Sequence, residues 1–549
     1  MNTIHQIVCR GRRSLLLLGF FALLPASCSL EEHPQDQIAD ELAHATPEML
    51  FKNTVTTLYN YVGGATDGQG LQGTCRGIYD LQTFGSDEAI IPTRGHDWYD
   101  GEMWQHMYRH SWDGDHELLY NSWTYLYKAI TLCNRSIEHL AESRNIISDQ
   151  EYKAYTAEVR ALRAIYYWYL LDLFGRVPIV TNTRLSMNEV LQSERSELFH
   201  FVYDELVEAS YDLEKQNSVS QGDYYGRVTF DVALFVLAKL ALNAEIYLDD
   251  DWTDKEYLDG KEIMLDVYGQ KMNAWETVIF FCNYLANNYY LEPVYSMNFV
   301  VRNENSAENI WVIPMDKDLY GNTQQNIMRS WHYRHADAYG ITGENGSCAT
   351  LNTLRVFGYG TDDEDPRFEL NYWADEVYDR NGELVLDRTG NPLVYYPNAV
   401  KMDLSYDPFV ETAGARMKKY DIDKNATKNG ILMDNDIVLF RFADVLLMRA
   451  EAKWRNGQDG SFDFNNVRDR AGASFRELTA ETLLDERLLE LCWEGWRRQD
   501  MIRFRQYKSL FTGDEFDDPV DESDGHTTVF PIPKDMLILN PHFTQNPGY

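Results

Sequence analysis

The sequence predicts a mainly α-helical fold: an irregular scaffold of paired helices with a loop-rich half that contains a few short strands. Three observations carry that reading. Several long segments repeat apolar residues every three or four positions. Those segments stop at glycine or proline punctuation. Between 290 and 435 the periodicity gives way to Gly, Asn, Asp and Tyr.

The first 27 residues have the parts of a secretory leader. Arg10, Arg12 and Arg13 precede the apolar run Leu15–Leu24, and Pro25, Ala26 and Ser27 precede Cys28. Ten residues rise only ~15 Å as a helix, against a hydrocarbon core of ~30 Å. The run is therefore a signal and not a span, and no later run is long enough to cross a bilayer. Cys28 reads either as a cysteine that happens to follow a signal or as the acylation site of a lipoprotein. Pro25 departs from the aliphatic residue usual three before such a cysteine. The expected boundaries are a signal peptide over 1–27 and a lipidated N-terminus with polar tether over 28–46. The lipid would be the only membrane contact.

The chain has 50 Lys+Arg against 86 Asp+Glu, a formal charge of −36. A field of that sign repels nucleic acid and anionic membrane surfaces. Beyond Cys28 the cysteines are Cys75, Cys133, Cys282, Cys348 and Cys492, widely spaced and without a CxxC pair. Neither a disulfide framework nor a structural zinc site is implied, and no cofactor is expected.

Along the chain, 47–62 and 117–142 have helical periodicity, with Leu119, Trp123, Leu126, Ile130, Cys133 and Ile137 on one face of the second. The stretch 63–116 is non-periodic and reads as loop. "EYKAYTAEVRALRAIYYWYLLDLFG" is a helix stopped by Gly175, with Pro178 beyond it. "VYDELVEASYDL" and "FDVALFVLAKLALNAEIYL" add two more. "ENIWVIPM" and "ELVLDRTGNPLVYY" read as strands with turns, and Trp311 in the former as a buried strand residue. Helices return over 436–508 with "FADVLLMRAEAKWRNG", "NNVRDRAGA" and "AETLLDERLLELCWEGWRRQDMIRF", before a Pro-rich, irregular tail. Helices of this length with short connections resemble tetratricopeptide hairpins, although the strict 34-residue consensus is absent. The division expected is an N-terminal region over 47–289 and a C-terminal region over 290–549, with the loop-rich insertion at 290–435.

Four stretches resemble one family in order: "AEVRALRAIYYWYLLDLFGRVPIVT", "RFADVLLMRAEAKWRNG", "NNVRDRAGA…LLDERLLELCWEGWRRQDMIRF" and "PIPKDMLILNPHFTQNPGY". They resemble the SusD/RagB nutrient-binding lipoproteins of Bacteroidetes. In that light Glu31 and Glu32 look like the acidic tag that carries such lipoproteins to the outer surface. The resemblance implies a tetratricopeptide-like half, an outer-membrane lipoprotein facing the exterior, and a partner transporter of the SusC type that depends on TonB. It implies glycan capture and delivery rather than catalysis.

The densest chemistry lies in "DEAIIPTRGHDWYDGEMWQHMYRHSW", with Arg94, Asp97, Trp98, Tyr99, Asp100 and Trp104 in loop. A pyranose face stacks on an aromatic ring while polar groups fix the hydroxyls. Trp104 and Trp112 read equally as core anchors. "RSWHYRHADAYG" offers Trp331, Tyr333 and Tyr339 in the other loop-rich half. The resemblance implies an arc of aromatics on both segments, which makes Trp98 and Trp331 the best pair across one shallow pocket. His106, His110 and His116 with Asp113 and Asp115 invite a metal, yet HMYRH lacks the Glu of HExxH. The acidic run "TGDEFDDPVDESDG" lacks the calcium-loop pattern and reads as solvated loop. Glu486, Arg487, Glu490, Glu494, Arg497 and Arg498 read as structural i,i+4 pairs and packing contacts. A surface glycoside hydrolase, which needs two carboxylates ~5–10 Å apart, is the rival to glycan binding. Peptide capture is the alternative within the binding class.

Overall fold

Helices form where apolar periodicity and end signals agree. The computed structural model describes residues 44–549 apart from 67, 220, 221 and 516. The leader, Cys28 and nearly all of the tether lie outside the described residues. Residues 44–549 make one compact unit.

The helix α1 (Pro47–Thr54) starts on Thr46, whose side chain accepts from Met49 N–H. It stops well short of the expected residue 62. Thr54, Thr56 and Thr57 turn their hydroxyls back onto the Leu50 and Lys52 carbonyls, competing with the helix ladder. A 3₁₀ turn (Thr56–Leu58) and one helical turn (Tyr59–Val62) follow. The stretch read as loop over 63–116 holds two short helices, α2 (Ile78–Thr83) and α3 (Met103–Arg109). Two turns or fewer leave too little periodicity to detect.

Next come α4 (Glu117–Glu142), α5 (Asp149–Phe174) and α6 (Arg195–Ser210), packed in sequence order. A Ser148/Glu151 capping box starts α5, and Gly175, in the left-handed region at φ 62°, ends it. Flanked by α4 and α6, α5 is buried on nearly every face from Ala157 onward. All of α7 (Phe230–Leu242) is buried. The sequence reading did not pick out α8 (Ala274–Leu285), capped by Asn273 and packed on α7.

The loop-rich half contains α9 (Asn326–Ser330) and α10 (Tyr333–Tyr339). The strands are short: β1 (Ala89–Ile90), β2 (Asn309–Ile313), β3 (Cys348–Ala349) and β4 (Ile437–Arg441) are the ones that tie the halves together. β1 pairs with β3 and β2 with β4, both antiparallel. Trp311 on β2 is fully buried, as its strand setting predicts. From β4 the chain enters α11 (Phe442–Arg455), which packs on α8, then α12 (Ser461–Arg470). The expected last helix is two helices, α13 (Ala480–Leu491) and α14 (Arg497–Arg503), because Trp493 and Gly495 both take positive φ between them.

Glu486, Arg487, Glu490, Glu494, Arg497 and Arg498 are buried, and each pairs with another element rather than along its own helix. Arg441 meets Glu308, Glu490 and Glu494; Arg367 meets Glu486 and Glu490. Arg487 faces Asp444, Arg497 faces Asp87, and Arg498 faces Asp172. Enclosed charges persist only where partners come from the surrounding elements.

Candidate functional site

Three loops meet at one corner of the loop-rich half. The first is 93–104. Arg94 and Asp97 exchange backbone hydrogen bonds of 2.9 and 3.1 Å around a tight turn, with Gly95 at φ 67°. The second runs from α9 through α10 to Ser347. The third is 402–413: Thr93 N–H donates to Met402 O and Leu404 N–H to Thr93 O, both at 2.9 Å.

Arg94 is expected to touch ligand, and the structure corrects that. Its guanidinium is buried and its donors are taken by Val410 O and Ala413 O, at 2.9 Å each, and by Gly346 O at 3.3 Å. Burial, with Arg416 nearby, pushes its pKa down to about 9. The rigid fork of one arginine thus fastens the first loop to the other two.

Trp331 is corrected as well. It is 1% exposed, its ring stacks on His335 at 3.8 Å, and its Nε1 donates to Met417 O. Two short helices, α9 and α10, turn at this residue and direct the indole inward, so it cannot present a face to a ligand. Trp104 is buried too, with Nε1 donating to Asp100 Oδ2 at 2.9 Å and its ring edge-on to Phe84 and Trp98. It is the core anchor that the sequence left open, beneath Trp98.

The remaining expected residues come together at the surface. Tyr333 Oη donates to Asp97 Oδ2 at 2.8 Å, and burial plus this bond raises the Tyr333 pKa to about 12. Trp98, half-buried, donates from Nε1 to Glu344 O at 2.9 Å. Its ring lies against Gly346, where an added Cβ would meet Trp98 Cε2 at 2.6 Å. Tyr99 is exposed, with its hydroxyl on Glu102. The backbone is left-handed at Trp98, Asp100 and Glu102, at φ 61°, 42° and 70°. Non-glycine residues rarely pay that strain unless the surroundings enforce it.

Sequence reasoning missed the third loop. Tyr406 is fully exposed at its apex, and the neighbouring Ser405 hydroxyl bonds to Gly95 O at 3.3 Å. Behind it Tyr396 and Phe409 pack at 4.4 Å. Arg388 lies over the Tyr333 ring at 5.6 Å. The signal was present: "DLSYDPF" sets an aromatic among turn-forming polar residues, as "GHDWYDG" does.

The histidines disperse to separate partners. His106 bonds Ser111, His110 bonds Glu522 and Gly85 O, and His116 bonds Met103 O. Among the described residues no group of three such ligands could hold a metal.

Residues 307–549 match the family model described as "SusD family". Residues 80–241 match a second SusD-like model, described as "Starch-binding associating with outer membrane". The chain belongs to the SusD family. As a SusD-family chain it is 24% identical over 446 residues to the starch-binding protein SusD of Bacteroides thetaiotaomicron, covering 73% of this chain and 74% of that protein. It is 25% identical over 463 residues to a SusD-like protein of Formosa agariphila, covering 77% of each. Its fold matches surface glycan-binding protein A of Bacteroides uniformis with a TM-score of 0.69 at 19% identity, over 91% of this chain and 99% of that one. It matches the Bacteroides thetaiotaomicron protein of that name, solved in complex with laminarihexaose, with a TM-score of 0.68 at 19% identity and the same coverage. These likenesses establish the mainly α, tetratricopeptide-like fold of the SusD family. The first loop of the aromatic corner lies in one matched segment and the other two loops lie in the other.

Proposed function

We propose that the protein captures an oligosaccharide on the platform formed by Trp98, Tyr99, Tyr333 and Tyr406, and does not cleave it. The observation that carries this reading is the build of the corner. Exposed Tyr99 and Tyr406 and half-buried Trp98 and Tyr333 stand on segments that a buried Arg94 fork holds together, with strained backbone at Trp98 itself. Rings held rigidly lose little entropy when a sugar face stacks on them. The carboxylates of the corner have donors: Asp97 has Tyr333, Asp100 has Trp104 and Arg76, and Glu411 has His332. The names of the relatives, starch-binding and glycan-binding, support the same class of ligand.

The wider setting belongs to the same proposal. Cys28 is the acylated first residue of the mature chain, and the lipid holds the protein at the outer face of the outer membrane. Among the described residues no helix is long and apolar enough to cross a membrane. The captured glycan passes to a SusC-type transporter dependent on TonB. A glycan array probed with the purified protein, followed by an assay for new reducing ends on each glycan retained, tests capture against hydrolysis. Retention without new reducing ends is expected; turnover traceable to one carboxylate would overturn the reading.

A further inference from the structure

A cavity of about 220 Å³, which shares no lining residue with the platform, lies where the 249–257 loop, the residues after α14 and the 522–528 turn meet. Arg195, the first residue of α6, is part of its wall and is 1% exposed. Other buried arginines have their charge answered: Arg329 by Asp80, Arg441 by Glu490, Arg503 by Glu451. Arg94 and Arg416 donate to backbone carbonyls. Arg195 has neither. Among the described residues no carboxylate lies within ion-pairing distance of it, and its Nε has no acceptor. Its company is two ring faces, Tyr247 at 5.6 Å and Trp252 at 5.5 Å. Trp252 also lines the cavity, with its indole N–H buried.

The acids around the cavity are already engaged. Glu522 accepts from His110, Ser509 N–H and Thr527; Asp524 accepts from His526; Asp249 accepts from Asp251 N–H. Lys255 and Arg505 stand exposed at the rim and add positive charge. Burying a guanidinium without a counter-ion is costly, and ring faces offset only part of that. A buried guanidinium on a cavity wall, with no carboxylate or carbonyl partner, calls for a ligand rich in oxygen. A guanidinium fork matches carboxylate, sulfate or phosphate oxygens. The volume, below the ~300 Å³ at which sites for drug-sized ligands begin, limits the occupant to an inorganic anion or one acidic sugar residue.

We propose that this cavity binds a small oxyanion, whose carboxylate, sulfate or phosphate group pairs with Arg195. The inference does not rest on the platform reading. Calorimetric titrations of the purified protein with D-glucuronate, inorganic sulfate and inorganic phosphate, with D-glucose and chloride as controls at matched ionic strength, test it. Saturable one-to-one binding of at least one oxyanion is expected, with none for glucose. Arg195→Gln should weaken it tenfold or more, and Lys255→Gln, which removes a positive charge from the rim, several-fold. Tighter binding of glucuronate identifies an acidic sugar residue as the occupant; tighter binding of sulfate or phosphate identifies a free inorganic anion. No saturable binding of any of the three overturns the proposal and leaves water as the occupant. Binding undiminished in both variants overturns it equally.

Discussion

The Tyr333 hydroxyl and the Asp97 carboxylate, 236 positions apart in the chain, meet at 2.8 Å on the surface of the aromatic corner. The bond locks the first loop against α10, so it orders the rings on either side. Hydrogen bonds to a charged acceptor contribute about 1.5–3 kcal/mol when shielded and less when exposed, as here. Tyr333→Phe and Asp97→Asn should each weaken glycan binding several-fold while leaving the melting temperature within a few degrees. A double-mutant cycle on affinity should show that the two losses do not add.

Gly346 is required by the ring it faces. A methyl group there would meet Trp98 Cε2 at 2.6 Å and Arg329 O at 3.0 Å. Gly346→Ala should therefore displace the Trp98 indole and reduce affinity without removing any side chain of the proposed platform. Near-wild-type affinity in a well-folded Gly346→Ala protein would show that the position of the Trp98 ring is unimportant.

Trp331 and Trp123 are both core residues, although only Trp123 looks like one in the sequence. Trp123 packs against Tyr127 and Phe174 on the buried face of α4. Either Trp→Ala change should cost about 3–5 kcal/mol of stability, the usual range for a large buried ring. Denaturant titration measures the loss. Affinity measured on the folded fraction should be unchanged for Trp123→Ala.

Two buried carboxyl groups set opposite pH limbs. Burial raises the Glu88 pKa to about 7, against the opposing Trp493 N–H and Lys419. The folded state therefore keeps a proton that the unfolded chain releases near 4.5, and stability falls as pH rises from 4.5 to 7, by roughly 3 kcal/mol at most. Glu88→Gln should gain on the wild type across that window and hold the gain above it. For Asp500, burial acts upward, but Arg487 and Arg503 outweigh it and bring the pKa down to about 2. Its contribution is complete above the ordinary Asp value of 3.8 and is lost as pH falls through 2. Asp500→Asn should flatten that acid limb in a melting-temperature series.

The long helices were legible because fourteen or more residues of 3.6 periodicity, closed by Gly175 or Gly457, leave little choice. The loop-rich half was legible only as such. Trp331 was misplaced because α9 and α10, of five and seven residues, are too short to reveal which face is inward. The role of Arg94 could not be read locally, since its carbonyl partners lie more than 250 positions away. Tyr406 was overlooked for a different reason: its loop contains no tryptophan to draw notice. For Trp98 the polar, turn-forming neighbours Asp97 and Gly95 argue for a place at the surface from the sequence itself, and the structure puts it there beside Tyr333, whose hydroxyl bonds Asp97.

The central claim, that a glycan stacks on Trp98 and its neighbours, is tested most directly by isothermal titration of one array-selected oligosaccharide into the wild type and Trp98→Ala. One ring contributes on the order of 1–2 kcal/mol, so a ~5–30-fold loss of affinity is expected, with the ligand recovered intact from both cells. Equal affinity in the two proteins, with Trp98→Ala folded, would contradict the account.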